Sequence, residues 1–187
     1  MNNIIRAKCL ILGDSTVGKS SLAQAFVSDT NQFQKNYNMT QGVEILTKII
    51  NVPDTQSSVE LYLYDCSGKE FYRGLVTKMS SQASLIVLVY DVTSENSFNL
   101  VTTFHDLVKT QGNNEGLRGV VFANKTDLTN RRKISPKAGR DLANSLGLMY
   151  FEGSVKDQKG IDAPFFYLVN EWFKLYMDKT QSFKLLS

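Results

Sequence analysis

Little in this chain of 187 residues is extreme, and what is scarce narrows its reading first. Two cysteines, Cys9 and Cys66, are too few for the disulfide framework on which small secreted domains depend. Both fall in stretches that read as buried strands, so buried, reduced thiols are expected. The one histidine, His105, has no ligand or base at a metal-site spacing and carries little functional weight. Three prolines exclude a proline-rich linker architecture. No apolar run reaches the roughly 20 residues of a membrane span. Met1-Asn2-Asn3 lacks a signal peptide and a second-position glycine, and Phe183-Lys184-Leu185-Leu186-Ser187 holds no cysteine to prenylate, so neither a lipid anchor nor a membrane span is expected. Net charge is small too. A net +3 spread along the chain gives no electrostatic footprint for nucleic acid, and Arg131-Arg132-Lys133 reads as a solvated loop.

What is present begins at Gly13-Asp14-Ser15-Thr16-Val17-Gly18-Lys19-Ser20. The run fits G-x-x-x-x-G-K-[ST], the loop that wraps a phosphate in backbone N–H groups. Its glycines let the chain curl, and the following helix presents the positive end of its dipole. Lys19 can reach the outer phosphates, and the Ser20 hydroxyl is placed for Mg²⁺. Cys9-Leu10-Ile11-Leu12 reads as a buried strand entering the loop, and Ser21-Leu22-Ala23-Gln24-Ala25-Phe26 as a helix leaving it.

Apolar runs then alternate with helical patterns. Strands are expected over 4–12, 43–51, 59–65, 84–90, 118–123 and 149–152, and helices over 19–28, 70–80, 95–110, 136–146 and 163–178. That alternation predicts an α/β fold with six strands, mostly parallel, and helices on both faces. The turn-rich Pro53-Asp54-Thr55-Gln56-Ser57-Ser58 makes the second and third strands an antiparallel hairpin. Ligands of such sheets bind beyond the carboxyl ends of the strands, and two further motifs fall there. Asp65-Cys66-Ser67-Gly68 offers a carboxylate to Mg²⁺, directly or through water, and a backbone N–H from Gly68 to a terminal phosphate. Asn124-Lys125-Thr126-Asp127 can read guanine, because the Asp127 carboxylate can accept from both N1–H and the exocyclic amine. Adenine lacks that pair and would leave a buried carboxylate unsatisfied, a penalty of about 1–3 kcal/mol or more. The Lys125 stem can lie over the purine, and Asn124 can tie the loop together.

With these motifs, and with Tyr90-Asp91-Val92-Thr93-Ser94-Glu95-Asn96-Ser97-Phe98, nearly the whole chain resembles the Ras-like small GTPases, specifically their Rab-like branch. The resemblance implies the P-loop nucleotide-hydrolase fold of a small G domain over residues 1–178. Residues 179–187 are left as a short C-terminal extension. It implies GTP or GDP with Mg²⁺ as cofactors, and Lys19, Thr40 and Gly68 as the catalytic set. Thr40, in Tyr37-Asn38-Met39-Thr40-Gln41-Gly42, matches the threonine that closes on the metal and the γ-phosphate. Ser154-Val155-Lys156 matches the last guanine motif, and Phe33 lies where an aromatic packs on the base.

Four stretches carry a closer likeness: 33–44, Val52-Pro53-Asp54-Thr55, Asn124-Lys125-Thr126-Asp127-Leu128 and Asp162-Ala163-Pro164-Phe165. They resemble Rab-like subunits of the ciliary intraflagellar transport B complex. That implies a heterodimer with a small β-sandwich subunit of the complex, contacts with further subunits, and residence in the cytoplasm, at the basal body and in the cilium or flagellum.

The chain departs from the family in two places. The family's catalytic glutamine follows the Asp-x-x-Gly motif directly, and here Lys69 stands there. A protonated lysine has no acceptor with which to orient an attacking water, so hydrolysis should be slow; Glu70 reads as a solvated or salt-bridged carboxylate. The last helix is also broadly apolar. Phe165, Val169, Trp172 and Tyr176 follow one buried face, with Leu168 and Leu175 beside it. Phe166, Phe173 and Met177 widen the arc to about 200°, against the roughly 100° that packing on a sheet needs. With Phe183 beyond them, these last three are the expected partner surface. Three functions stay open: a GTP-regulated assembly subunit, a soluble Rab-type trafficking switch, and a structural subunit with a vestigial pocket. Lys69 generates a prediction. In single-turnover assays Lys69→Gln should hydrolyse GTP about 10- to 1,000-fold faster than the wild type; equal rates would refute the assignment.

Overall fold

The computed structural model describes residues 3–28, 40–111 and 116–186, without side-chain detail at 111 and 183–186. In chain order the strands are β1 (Asn3–Leu12), β2 (Val43–Asn51), β3 (Ser57–Cys66), β4 (Leu85–Asp91), β5 (Arg118–Asn124) and β6 (Met149–Glu152). The helices are α1 (Lys19–Val27), α2 (Arg73–Ser80), α3 (Glu95–Gln111), α4 (Pro136–Ser145) and α5 (Asp162–Leu186). Single 3₁₀ turns at Glu70–Tyr72 and Thr129–Arg131 precede α2 and α4.

The six strands form one sheet in the order β2-β3-β1-β4-β5-β6. Only β2 and β3 pair antiparallel, which is the expected hairpin. The buried strands β4 and β5, Leu-Ile-Val-Leu-Val-Tyr-Asp and Arg-Gly-Val-Val-Phe-Ala-Asn, read as near-continuous apolar runs because helices cover both their faces. Alternation on β1 splits the core. Cys9 and Ile11 join a layer under α1 and α5, whereas Leu10 and Leu12 join the layer containing Val76 of α2, Val101, Phe104 and Val108 of α3, and Ala143 of α4. The two cysteines are free and buried; burial pushes the Cys66 thiol up to about 12 and the Cys9 thiol up as well, so both are protonated and inert. His105 is buried on α3, its Nδ1 3.2 Å from Asp106 Oδ1.

Two expectations for the last helix need correction. Lys179–Ser182 contains no proline or glycine to stop it, so α5 runs on to Leu186 and the expected extension continues the helix. Its buried face is also rotated. Phe165, Leu168, Val169 and Phe173 enter the core, while Trp172 is only half-buried and Tyr176 is exposed. Phe165 stacks on Phe26 of α1 with ring centroids 4.0 Å apart, and that contact sets the rotation. Phe173 is therefore a core residue, 8% exposed, not a partner contact, whereas Phe166 (46%) and Met177 (39%) do face outward. An apolar arc wider than one face leaves its own centre undetermined, which is why the pattern misplaced it.

The packing predicts a sharp contrast between two α5 residues. Phe165→Ala should cost about 3–5 kcal/mol of unfolding free energy, as for a large buried aromatic. Met177→Ala should stay within about 0.5 kcal/mol. Denaturant unfolding at matched nucleotide concentration measures both, and similar losses would contradict the assigned face.

Candidate functional site

The sheet order brings the carboxyl ends of β1, β3, β4, β5 and β6 to one edge, and a loop bearing polar residues leaves each. β1 feeds Gly13–Ser20 into α1. Gly18 takes φ +98°, open to glycine at little cost, and a Cβ there would run into the Asn124 amide. A Cβ on Gly68 would likewise strike the backbone of Asp14 and Ser15. The phosphate loop, the Asp-x-x-Gly loop and the Asn-Lys-x-Asp loop thus meet at two glycines.

Lys19 is 6% exposed, and its Nζ donates to the Asp14 carbonyl at 2.7 Å. Burial pulls this ammonium below its ordinary range, opposed by the negative charge of Asp65. The Asp14 carboxylate braces the loop, accepting from the Ser15 N–H at 2.7 Å and from Asn96 Nδ2 on α3 at 2.8 Å.

Ser20, Thr40 and Asp65 converge. Asp65 Oδ2 accepts from Ser20 Oγ at 2.5 Å and from Thr40 Oγ1 at 3.0 Å, and the two hydroxyls lie 2.8 Å apart. Burial raises the Asp65 carboxyl above its ordinary range, partly offset by these two hydroxyls. Its other oxygen, Oδ1, is buried and has no hydrogen-bond partner among the described residues. An orphaned carboxylate oxygen beside two hydroxyls fits Mg²⁺, which keeps waters and phosphate oxygens in its shell and needs few protein ligands. Accordingly, no group of three or more His, Cys, Asp or Glu side chains among the described residues is placed to hold a metal unaided.

Asn124 is the junction of the base-side loops. Its Nδ2 donates to the Val17 carbonyl at 2.8 Å, and its Oδ1 accepts from the N–H groups of Lys125 at 2.8 Å and Val155 at 3.3 Å. Lys125 has φ +67°, uncommon for a residue with a side chain, and is held there by both ends. Its Nζ donates to the Thr16 carbonyl at 2.8 Å and pairs with Asp91 Oδ2 at 2.7 Å. Asp127 Oδ1 accepts from Ser154 Oγ at 2.7 Å, and Lys156 Nζ lies 3.7 Å from Asp127 Oδ2.

Beside the phosphate loop, Lys69 is exposed in extended backbone at the start of the 3₁₀ turn, and Glu70 pairs with Arg73 at 3.1 Å. Phe33 and the Phe183 side chain lie outside the described residues. Sequence reasoning named neither Asp91 nor Asn96 as a site residue. A signal existed for the first: Asp91 ends β4, the strand beside β1, at the edge where ligands of such sheets bind. Burial would lift its carboxyl, but hydrogen bonds from Lys125 and Thr93, with the Lys125 charge, outweigh that and hold it below the ordinary range.

The family described as "Ras family" matches residues 8–174. The "Intraflagellar transport protein 27 homolog" of Bos taurus is 41% identical over 182 residues, spanning 97% of this chain and 98% of the relative. The Homo sapiens homolog is 40% identical over 98% of both chains. "Intraflagellar transport protein 27" of Chlamydomonas reinhardtii is 34% identical over 96% of this chain and 90% of the relative.

The Asp91–Lys125 pair makes a pH prediction. A carboxyl held below its unfolded value adds stability above about pH 4, its unfolded pKa. That stability is lost as pH falls through the lower folded value. The advantage of the wild type over Asp91→Asn in thermal unfolding should be steady from pH 8 to about 5 and shrink below about 4. An advantage that persists undiminished at pH 2 would refute the pairing.

Proposed function

The chain belongs to the Ras family, and from that premise we propose that it is a GTP-binding, Rab-like subunit of the intraflagellar transport B complex. One observation carries the nucleotide half of this reading: Ser20, Thr40 and the orphaned carboxylate of Asp65 meet beside the buried Lys19. In the proposal Gly13–Ser20 wrap the phosphates with backbone N–H groups, Lys19 neutralises the outer ones, and Ser20, Thr40 and Asp65 hold Mg²⁺. That ion supplies charge neutralisation on the phosphates. Asp127 reads the guanine edge, Lys125 flanks the ring, and Asn124, Ser154 and Val155 fix the loops around it. Lys156 completes that loop, and Gly68 presents its N–H to the terminal phosphate.

Hydrolysis is slow in this reading. Lys69 stands exposed where a water-orienting glutamine is needed, and Glu70 is engaged by Arg73. The assembly half rests on the near full-length relatives, whose names place them in intraflagellar transport, and on the outward-facing Phe166 and Met177 of α5. These two form the surface for a β-sandwich partner in the cytoplasm and the cilium. No helix among the described residues is long and apolar enough to cross a membrane. A vestigial pocket is disfavoured, because a decayed site has no reason to keep a buried lysine and a buried carboxylate at their cost in desolvation.

Purifying the protein from ciliated cells, with and without a non-hydrolysable GTP analogue, and identifying what co-elutes tests the proposal. The expected result is co-elution of transport-complex subunits with wild type and their loss with the double variant Phe166→Asp/Met177→Asp, which still binds GDP. Co-elution of membrane-trafficking factors instead, or no guanine nucleotide bound at all, would overturn it.

A further inference from the structure

Behind the base-side loops lies a second set of contacts that the nucleotide chemistry does not use. Past Asp127 the chain makes its 3₁₀ turn and reaches Arg132. Arg132 Nη2 donates to Glu152 Oε2 at 2.7 Å, and its Nε donates to the Ile134 carbonyl at 2.7 Å. Glu152 is the last residue of β6, just before Gly153 and Ser154. The same Glu152 oxygen accepts from Tyr150 Oη at 2.6 Å. Tyr150 cannot drift: α4 lies against its ring so closely that a Cβ on Gly139 would strike it, and the Arg140 guanidinium sits over the ring at 5.8 Å.

These contacts close a ring. On the ligand side, Ser154 Oγ bonds Asp127 Oδ1. On the far side, Arg132 bonds Glu152. Between those two ties, the chain runs from Asp127 to Arg132 on one loop and from Glu152 to Ser154 on the other. The ring is further fixed to the sheet: the N–H groups of Lys133 and Ile134 both donate to the Val92 carbonyl, and the Gly153 N–H to the Ala123 carbonyl. The Thr126 N–H also donates to the Gly153 carbonyl at 3.2 Å and fixes the two loop backbones beside Asp127. A carboxylate that must meet two adjacent donors of a base has to be oriented as well as placed, and the Arg132–Glu152 tie adds a side-chain constraint on the far side of the ring.

We propose that the Arg132–Glu152 pair, seated on Tyr150, is a positioning device that sets the orientation of Asp127 and thereby how long and how selectively a guanine nucleotide is held. The proposal rests on the guanine-binding reading above and deepens it. Arg132 and Glu152 do not touch the base; they act through Asp127 and Ser154. Burial would lift the Glu152 carboxyl, but the hydrogen bonds from Arg132 and Tyr150 outweigh that and hold it charged at neutral pH. The pair therefore stays formed across the physiological range.

The test compares a fluorescent GDP with the corresponding inosine diphosphate, which lacks the exocyclic amine. In the full chain, Arg132→Ala and Glu152→Gln are each expected to release GDP about tenfold faster, as for loss of one charge-assisted hydrogen bond. The preference for GDP over inosine diphosphate should fall with them. The exchanged pair Arg132→Glu/Glu152→Arg should recover part of both. A merely structural bridge would lower the melting temperature yet leave the release rate and the base preference unchanged, and that result overturns the proposal. Glu152→Gln keeps the shape of the side chain, so the release measurement stands even where Arg132→Ala folds poorly. Absence of any GDP preference in the wild type would instead sink the guanine reading itself.

Discussion

Asn124 is the side chain on which the geometry of the site depends. Its amide spends one donor on the phosphate loop at Val17 and its oxygen on the N–H groups of Lys125 and Val155, so loops from β1, β5 and β6 are fixed to one group. The residue is 2% exposed, and in a dry interior these bonds are stronger than in water while an unmet one is costly. That combination makes the arrangement all-or-none. Gly18 is part of the same constraint, because only a residue without Cβ lets Asn124 approach the loop. The Gly13–Ser20 loop and the loops after β5 and β6 are thus joined through one side chain.

The charges at the other end are arranged in the opposite spirit. Burial disfavours the charged forms of both Lys19 and Asp65, and the Asp65 oxygen Oδ1 is left without a partner among the described residues. Neither group improves the fold of the chain by itself. In the proposed reading each would be explained by a ligand that brings charge of both signs, phosphate for the lysine and a divalent cation for the carboxylate. Nucleotide binding and stability are therefore linked: whatever binds the native site adds to the unfolding free energy in proportion to the logarithm of its concentration over its Kd.

Much of this was legible in the sequence, and the reason is geometric. Motifs at the ends of apolar runs stay at the ends of strands, and a parallel sheet gathers those ends along one edge. So the order of β1, β3, β5 and β6 brings Lys19, Asp65, Asn124 and Ser154 together without further information. The hairpin of β2 and β3 was legible because its turn is too short and polar for a crossover. What the sequence hid depends on relations between elements. The rotation of α5 was set by the stacking of Phe165 on Phe26, a contact between distant segments, and the helical period admits several rotations of so wide an apolar arc. Asp91 and Asn96 belong to no spacing rule used above; their roles appear only when α3 and β4 are seen to flank the phosphate loop. Arg132 read as a member of a solvated basic cluster, and its partner Glu152 lies on a different loop.

Lys69 shows how such a site can separate holding from cleaving. In the proposed reading Lys19, Ser20, Asp65 and Asn124 come from strand ends or a helix start, where the backbone is fixed by the sheet. The group that would orient an attacking water comes one residue after Gly68, outside β3 and before α2. A substitution there changes an exposed side chain outside the core. Changing Asn124 or Gly18 instead would disturb three loops at once. Hydrolysis rate is thus the property this architecture can alter at least cost to nucleotide binding. In the proposed reading, altering position 69 slows hydrolysis while the contacts that join the loops of the pocket stay in place.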